Sequence, residues 1–401
     1  MPRNELRAYL PIAGLLAVVF LVFKLPSLGH THNEGDEQIY LAVAKNLRDH
    51  GSYSLQGTAV LEHLPPGIYD KPFFHHPPLG VALMIPIMGT FGDSAAVVIA
   101  WLGHLVLLAA IFLWLRLLLG SAAVATVSVT LLCCVLDPLT HFVSQKIWLD
   151  SMLAGTTSLA PALFLAAIRT GRDGPSRGLL IASGIVMGLA ILTKLPAVFV
   201  LPVFLALYLR EHGLSELSAL RPYLLYAGLP CVLLILPWFV VFHGHYGTLH
   251  PTWIGPDAHA LEHNPFVKMM VERPVHYFFS QFALICPFLL LPLYRVVTAR
   301  HTLGFHEKLG WGWMLGILLA FTLLTAIGGH SYQMRYVIMA IPPAYLLLGS
   351  ALSAMELAAR PAVLMAALGA LLYNAMNSFV YLLHPKQAAM FSLFEAIGSM
   401  Y

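Results

Sequence analysis

Several short stretches of this sequence bring together acids, bases and cations that could do chemistry. In GDEQIY, Asp36 and Glu37 open a segment with Ile39, Val43 and Leu47 on one face and Gly51 as its stop, which predicts an amphipathic helix. Two acids in a first turn serve as an N-cap and a dipole partner. A carboxylate beside an apolar wall also suits a general base. The stretch IYDKPFFHHPPLG holds Asp70, Lys71, His75 and His76 between prolines. One reading is a rigid turn with a local Asp70–Lys71 pair. The other gives Lys71 a phosphate to hold as a point charge, a task also open to His75 and His76, and it leaves binding of a divalent metal by those histidines open. In SQKIWLDSM, Asp150 opens a helix and has Lys146 for company, so a cap and a charge pair are both open. Lys194, in LTKLP, stands at a hairpin tip, where a lysine commonly snorkels. Late in the chain Arg273 follows Glu272, which allows either a phosphate clamp or an interfacial salt bridge. The turn GGHSYQMRY gathers Tyr332, Arg335 and Tyr336, as site residues or as part of an aromatic belt.

The elements that must position these residues are membrane spans. The chain has 401 residues, of which 59% are hydrophobic and 10% charged. Soluble domains carry about 25% charge, so this composition cannot coat a water-facing surface. Apolar blocks long enough to cross a hydrocarbon core of roughly 30 Å recur along the chain. They fall at 8–23, 94–115, 122–142, 151–168, 178–193, 197–209, 222–242, 275–294, 309–327, 335–353 and 362–382, which predicts an all-α polytopic membrane protein of about eleven transmembrane helices. Segment 78–92 contains Pro86 and is too short to span, so it is expected to be re-entrant or interfacial. With that segment kept outside, the short inner loops collect an excess of Lys and Arg, and acids collect outside. That places the N-terminus in the cytoplasm of a multi-pass cell-membrane protein. The N-terminal apolar stretch lacks a small-x-small cleavage site and reads as an uncleaved anchor.

Two loops exceed connector length, 30–77 and 243–274, and both fall on the outer or periplasmic face. Every acid and cation singled out above lies on that face, as do most of the 19 histidines, so activity is expected to be acid-sensitive. The net charge of +3 is scattered, with no basic run to neutralise phosphates in series, which argues against a nucleic-acid partner. The four cysteines sit in apolar blocks without metal spacing. A polytopic transporter or lipid flippase is the alternative class. It predicts midplane ionisable residues and an internal repeat; the former are scarce here and the latter is not visible.

The order of motifs resembles a known family. Gly35, Asp36, Glu37 and Tyr40 follow the first span. Asp70, Lys71 and Pro72 lead to Pro77, Pro78 and Leu79. Leu149–Asp150, Thr193–Lys194, Pro237–Trp238, and Arg335–Tyr336 with Pro342 and Pro343 complete the series. This is similar to the membrane-embedded GT-C glycosyltransferases, in the branch of protein mannosyltransferases and lipid A aminoarabinose transferases. The resemblance implies outer-face juxtamembrane helices and a polyprenyl-phosphate-linked sugar donor. It implies inverting transfer to a lipid, glycan or protein acceptor on the non-cytoplasmic face, in cell-envelope glycan chemistry. Asp36 matches the catalytic acid of the first outer loop and Asp150 that of the second, with Glu37 beside Asp36. Lys71 and Arg273 would hold the donor phosphate, with Lys194 and Arg335 as further cations, and Asp70, His75, His76 and Tyr332 as acceptor or accessory groups. The catalytic domain is expected over 1–382, followed by a short tail at 383–401. The element K-P-F-F-H-H-P-P-L is longer than the family's compact K-P-P-L.

Overall fold

A computed structural model describes residues 3–30, 32, 36–58, 76–120, 124–171, 174–214, 219–246, 278–279, 281–328, 333–357 and 360–383. Asp70, Lys71, His75, Arg273 and Tyr332 lie outside the described residues, as do most of both long loops and the tail from 384 onward. The helices are α1 (Arg3–Lys24), α2 (Asp36–His50), α3 (Leu79–Phe91), α4 (Val98–Leu119), α5 (Val124–Val135), α6 (Pro138–Ser144) and α7 (Asp150–Thr170). They continue as α8 (Arg177–Thr193), α9 (Leu201–His212), α10 (Leu229–Tyr246), α11 (Leu290–Ala299), α12 (Phe305–Gly328), α13 (Ile341–Ala354) and α14 (Pro361–Leu383).

Among the described residues, eight helices are long and apolar enough to cross a membrane, or nine if the bent pair α5–α6 is one span. Helix length therefore does not establish a count of eleven. Window 178–193 corresponds to α8, 17 residues long and just under spanning length. Window 275–294 is interrupted by a 3-10 turn at Pro287–Leu289 before α11. The continuous span expected at 122–142 bends by 50° between α5 and α6. Asp137 and Pro138 cause the break. The proline removes a backbone donor, and the Asp137 carboxylate accepts the Thr140 N–H at 2.7 Å, capping the new helix. At 13 residues α3 reaches roughly 20 Å at 1.5 Å per residue, short of the hydrocarbon core, as expected for segment 78–92.

The chain divides into two compact units. One comprises residues 24–107 and 143–253, the other residues 1–23, 108–142 and 254–401. In the first unit α7 packs along α8, and α8 along α10. Small residues permit the approach. A Cβ on Gly103 of α4 would collide with the backbone of Ser151 and Met152, and one on Gly155 would meet the Gly103 carbonyl. Hydroxyls that would otherwise be stranded in an apolar interior bond to nearby carbonyls. Thr157 Oγ1 donates to Leu153 O at 2.6 Å, and Ser183 Oγ crosses from α8 to Ala160 O on α7 at 2.7 Å.

In the second unit the bend between α5 and α6 anchors a buried polar cluster. Tyr345 Oη donates to Asp137 Oδ2 at 2.9 Å, Asn374 Nδ2 donates to Cys133 O at 2.8 Å, and Ser378 Oγ donates to Leu136 O at 2.8 Å. The carbonyls released by the break are thereby satisfied from α13 and α14.

Candidate functional site

Within the first unit, the acids at the starts of α2 and α7 are assembled around one short stretch of backbone. α2 begins at Asp36, with Glu37 second, and ends where Gly51 takes a φ of 65° and donates its N–H to Leu47 O at 3.2 Å, the stop expected from the sequence. Its buried face differs from the expected Ile39–Val43–Leu47 stripe. Glu37, Tyr40, Val43 and Ala44 are buried, whereas Ile39 and Leu47 are only half-buried. The inward face thus carries a carboxylate and a phenol in place of two aliphatic side chains.

Glu37 is fully buried. Its Oε1 accepts the Ile147 N–H at 2.8 Å and lies 2.8 Å from His32 Nδ1. Its Oε2 has the Lys146 ammonium at 3.8 Å. One carboxylate therefore ties the start of α2 to the turn that leads into α7 and Asp150. Asp36, the neighbouring residue, is half-buried. His30 lies close by, and burial first, then the neighbouring His32 and Lys146, hold its imidazole below the usual value, against an opposing pull from Glu37.

Asp150 starts α7 and is buried. The Lys194 ammonium donates to both its oxygens, at 2.8 and 2.9 Å. Lys194 is itself buried at the end of α8, so it does not snorkel. The cation that pairs with Asp150 is Lys194, and Lys146 is turned instead to Glu37.

A cavity of about 590 Å³ opens beside this assembly, with Leu192, Leu234, Pro237, Trp238 and Val241 on its apolar walls. Ser52, Tyr53, Ser54 and His245 supply its polar lining. Trp238 is packed against Leu192 and Leu195, the residues that flank Thr193–Lys194. Tyr53 Oη donates to His76 O at 2.9 Å, and the His76 ring lies 5.5 Å from that of Tyr40, so half-buried His76 is held against α2. Burial raises the Tyr53 phenol, which keeps it a donor.

The structure brings Asp36, Glu37, Asp150, Lys194 and His76 into one unit. Arg335 belongs to the other unit, buried beneath the ring of Tyr336, which stacks on Phe321 at 6.1 Å. Among the described residues no three His, Cys, Asp or Glu side chains gather closely enough to hold a metal ion. Sequence reasoning missed His32, whose only signal was its place five residues before Glu37.

Residues 94–250 match the family model of dolichyl-phosphate-mannose-protein mannosyltransferase. No curated protein sequence matches. The fold is similar to that of ArnT from Cupriavidus metallidurans bound to undecaprenyl phosphate, with a TM-score of 0.63 at 19% identity over 94% of this chain and 65% of that one. For the apo state of the same protein the TM-score is 0.59 at 20% identity, over 89% of this chain and 61% of the other. The apo oligosaccharyltransferase of Archaeoglobus fulgidus gives a TM-score of 0.54 at 14% identity, over 92% of this chain and 55% of that one. The chain thus spans less than two thirds of the length of each of these structures, and its fold is of the GT-C kind they share.

Proposed function

We propose that this chain, a polytopic membrane protein of GT-C fold, is a glycosyltransferase that moves a sugar from a polyprenyl-phosphate donor to an acceptor hydroxyl on the non-cytoplasmic face of the cell membrane. The observation that carries the reading is the junction of α2 with the turn before α7. It joins the start of α2, which bears Asp36, to the helix that begins with Asp150, beside an apolar cavity with a polar lining. The excess of Lys and Arg in the short inner loops supports the sidedness.

In this reading Asp36 takes the acceptor proton on the face of the sugar opposite the departing phosphate, so the transfer inverts. The leaving lipid phosphate gains charge as the glycosidic bond breaks, and fixed cations aimed at it lower the barrier. Lys71 and Arg273 are assigned that task from the motif order, with Lys194 and Arg335 as further cations. Lys194 holds Asp150, so it acts on the phosphate together with that acid. Asp70, His75, His76 and Tyr332 are assigned to the acceptor side. The cavity around Trp238 suits the first, apolar units of the donor lipid.

Mass spectrometry of envelope lipids and glycans from cells lacking the protein tests the assignment and reports sugar and acceptor together. Loss of one glycosylated species with accumulation of its lipid-linked donor is expected. An unchanged glycan and lipid profile contradicts it.

A further inference from the structure

The carboxylate beside the assigned base has surroundings that leave no face for substrate. Glu37 is fully buried, and its Oε1 already accepts from Ile147 N–H and contacts His32 Nδ1, both at 2.8 Å. His32, also buried, sets its Nε2 3.1 Å from the Ser27 carbonyl oxygen. A carbonyl oxygen only accepts, so Nε2 must carry its hydrogen. Nδ1 then shares a proton with Oε1, whichever atom holds it. That makes the contact a charge-assisted or proton-sharing hydrogen bond out of reach of water.

Ser27 is fixed in turn. Its hydroxyl donates to Lys24 O at 2.8 Å and accepts from Trp101 Nε1 at 3.2 Å, while the buried Lys24 ammonium donates to Ser144 Oγ. The imidazole therefore links the 3-10 turn after the first span to α2, and through Glu37 to the backbone of residue 147. Asp36 is the residue before Glu37, and Asp150 lies three residues beyond Ile147.

We infer that His32 and Glu37 form one positioning unit that sets Asp36 and the N-terminus of α7 in register, and that Glu37 acts through this register without touching substrate. The kinetic part rests on the glycosyltransferase reading; the structural part does not. Groups that act as a unit lose their effect once, so their losses do not add.

The test uses the full chain in detergent or nanodiscs, with undecaprenyl-phosphate-linked sugar as donor. His32→Gln and Glu37→Gln should each lower kcat by about tenfold or more, with the donor KM within about twofold of wild type, and the double variant should be no slower than the worse single one. Glu37→Asp, which keeps the charge but shortens the reach, should recover less than His32→Gln retains. Additive losses, a pure KM effect or wild-type kcat in His32→Gln overturn the proposal. Hydrogen exchange on the same proteins separates this from failure of the functional reading. His32→Gln should speed exchange both in the first turn of α2 and at residues 146–150, even if no sugar transfer is detected. Faster exchange in α2 alone, or in neither segment, overturns the register.

Discussion

Lys194 and Asp150, 44 residues apart, form a two-pronged ion pair at 2.8 and 2.9 Å that is almost closed to solvent. Removing one partner strands the other charge in a low-dielectric setting, which typically costs about 3–5 kcal/mol. Lys194→Met and Asp150→Asn should each lower the thermal unfolding midpoint in detergent, and the double variant should lose clearly less than the two singles combined. An additive loss would mean that the two charges do not depend on each other.

The crossing of α4 and α7 fixes where Asp150 sits. Gly103→Ala places a methyl group on the backbone of Ser151 and Met152, and overpacking of this kind costs roughly 1–3 kcal/mol. Reduced thermal stability and reduced turnover are expected together. Gly14→Ala, with open space around it, should change neither.

If the cavity grips the apolar part of the donor, it does so equally in the ground and transition states. Trp238→Ala should then raise the donor KM by roughly tenfold and leave kcat close to wild type, as expected for lost uniform binding. Steady-state kinetics over a donor series checks this; a fall in kcat at unchanged KM would place Trp238 in the chemistry instead.

Acid should loosen the site. The folded pKa of His30 lies below its ordinary value of 6.5. Below that value the unfolded chain binds a proton that the folded chain resists, so stability is full above 6.5 and declines as the pH falls toward the lowered folded value. The unfolding midpoint should therefore drop on acidification from neutral pH, and His30→Gln should reduce the slope. An identical slope in the variant would assign the acid sensitivity to other groups.

The sequence made the membrane character, the start and stop of α2 and the short segment at α3 readable, because each has a local cause: apolar run length, a first-turn acid, a glycine with positive φ, too few residues to span. It also exposed Asp36, Asp150 and Lys194 as residues worth asking about. It could not pair Lys194 with Asp150, since that contact depends on how α7 lies along α8. The burial of Glu37 was hidden for a related reason: an acid in a first turn looks solvated until a backbone N–H from a turn 110 residues away is brought to it. The bend in 122–142 was there to be read in Asp137–Pro138, but the hydrophobicity on either side outweighed an acid-proline pair.

Sugar transfer with Asp36 as the base can be measured directly. Purified protein, given polyprenyl-phosphate-linked sugar and envelope acceptors, should release polyprenyl phosphate and form a glycosylated product. Asp36→Asn should retain the elution volume and unfolding midpoint of the wild type while transferring at least about a hundredfold more slowly. Wild-type turnover in a folded Asp36→Asn protein would contradict the account.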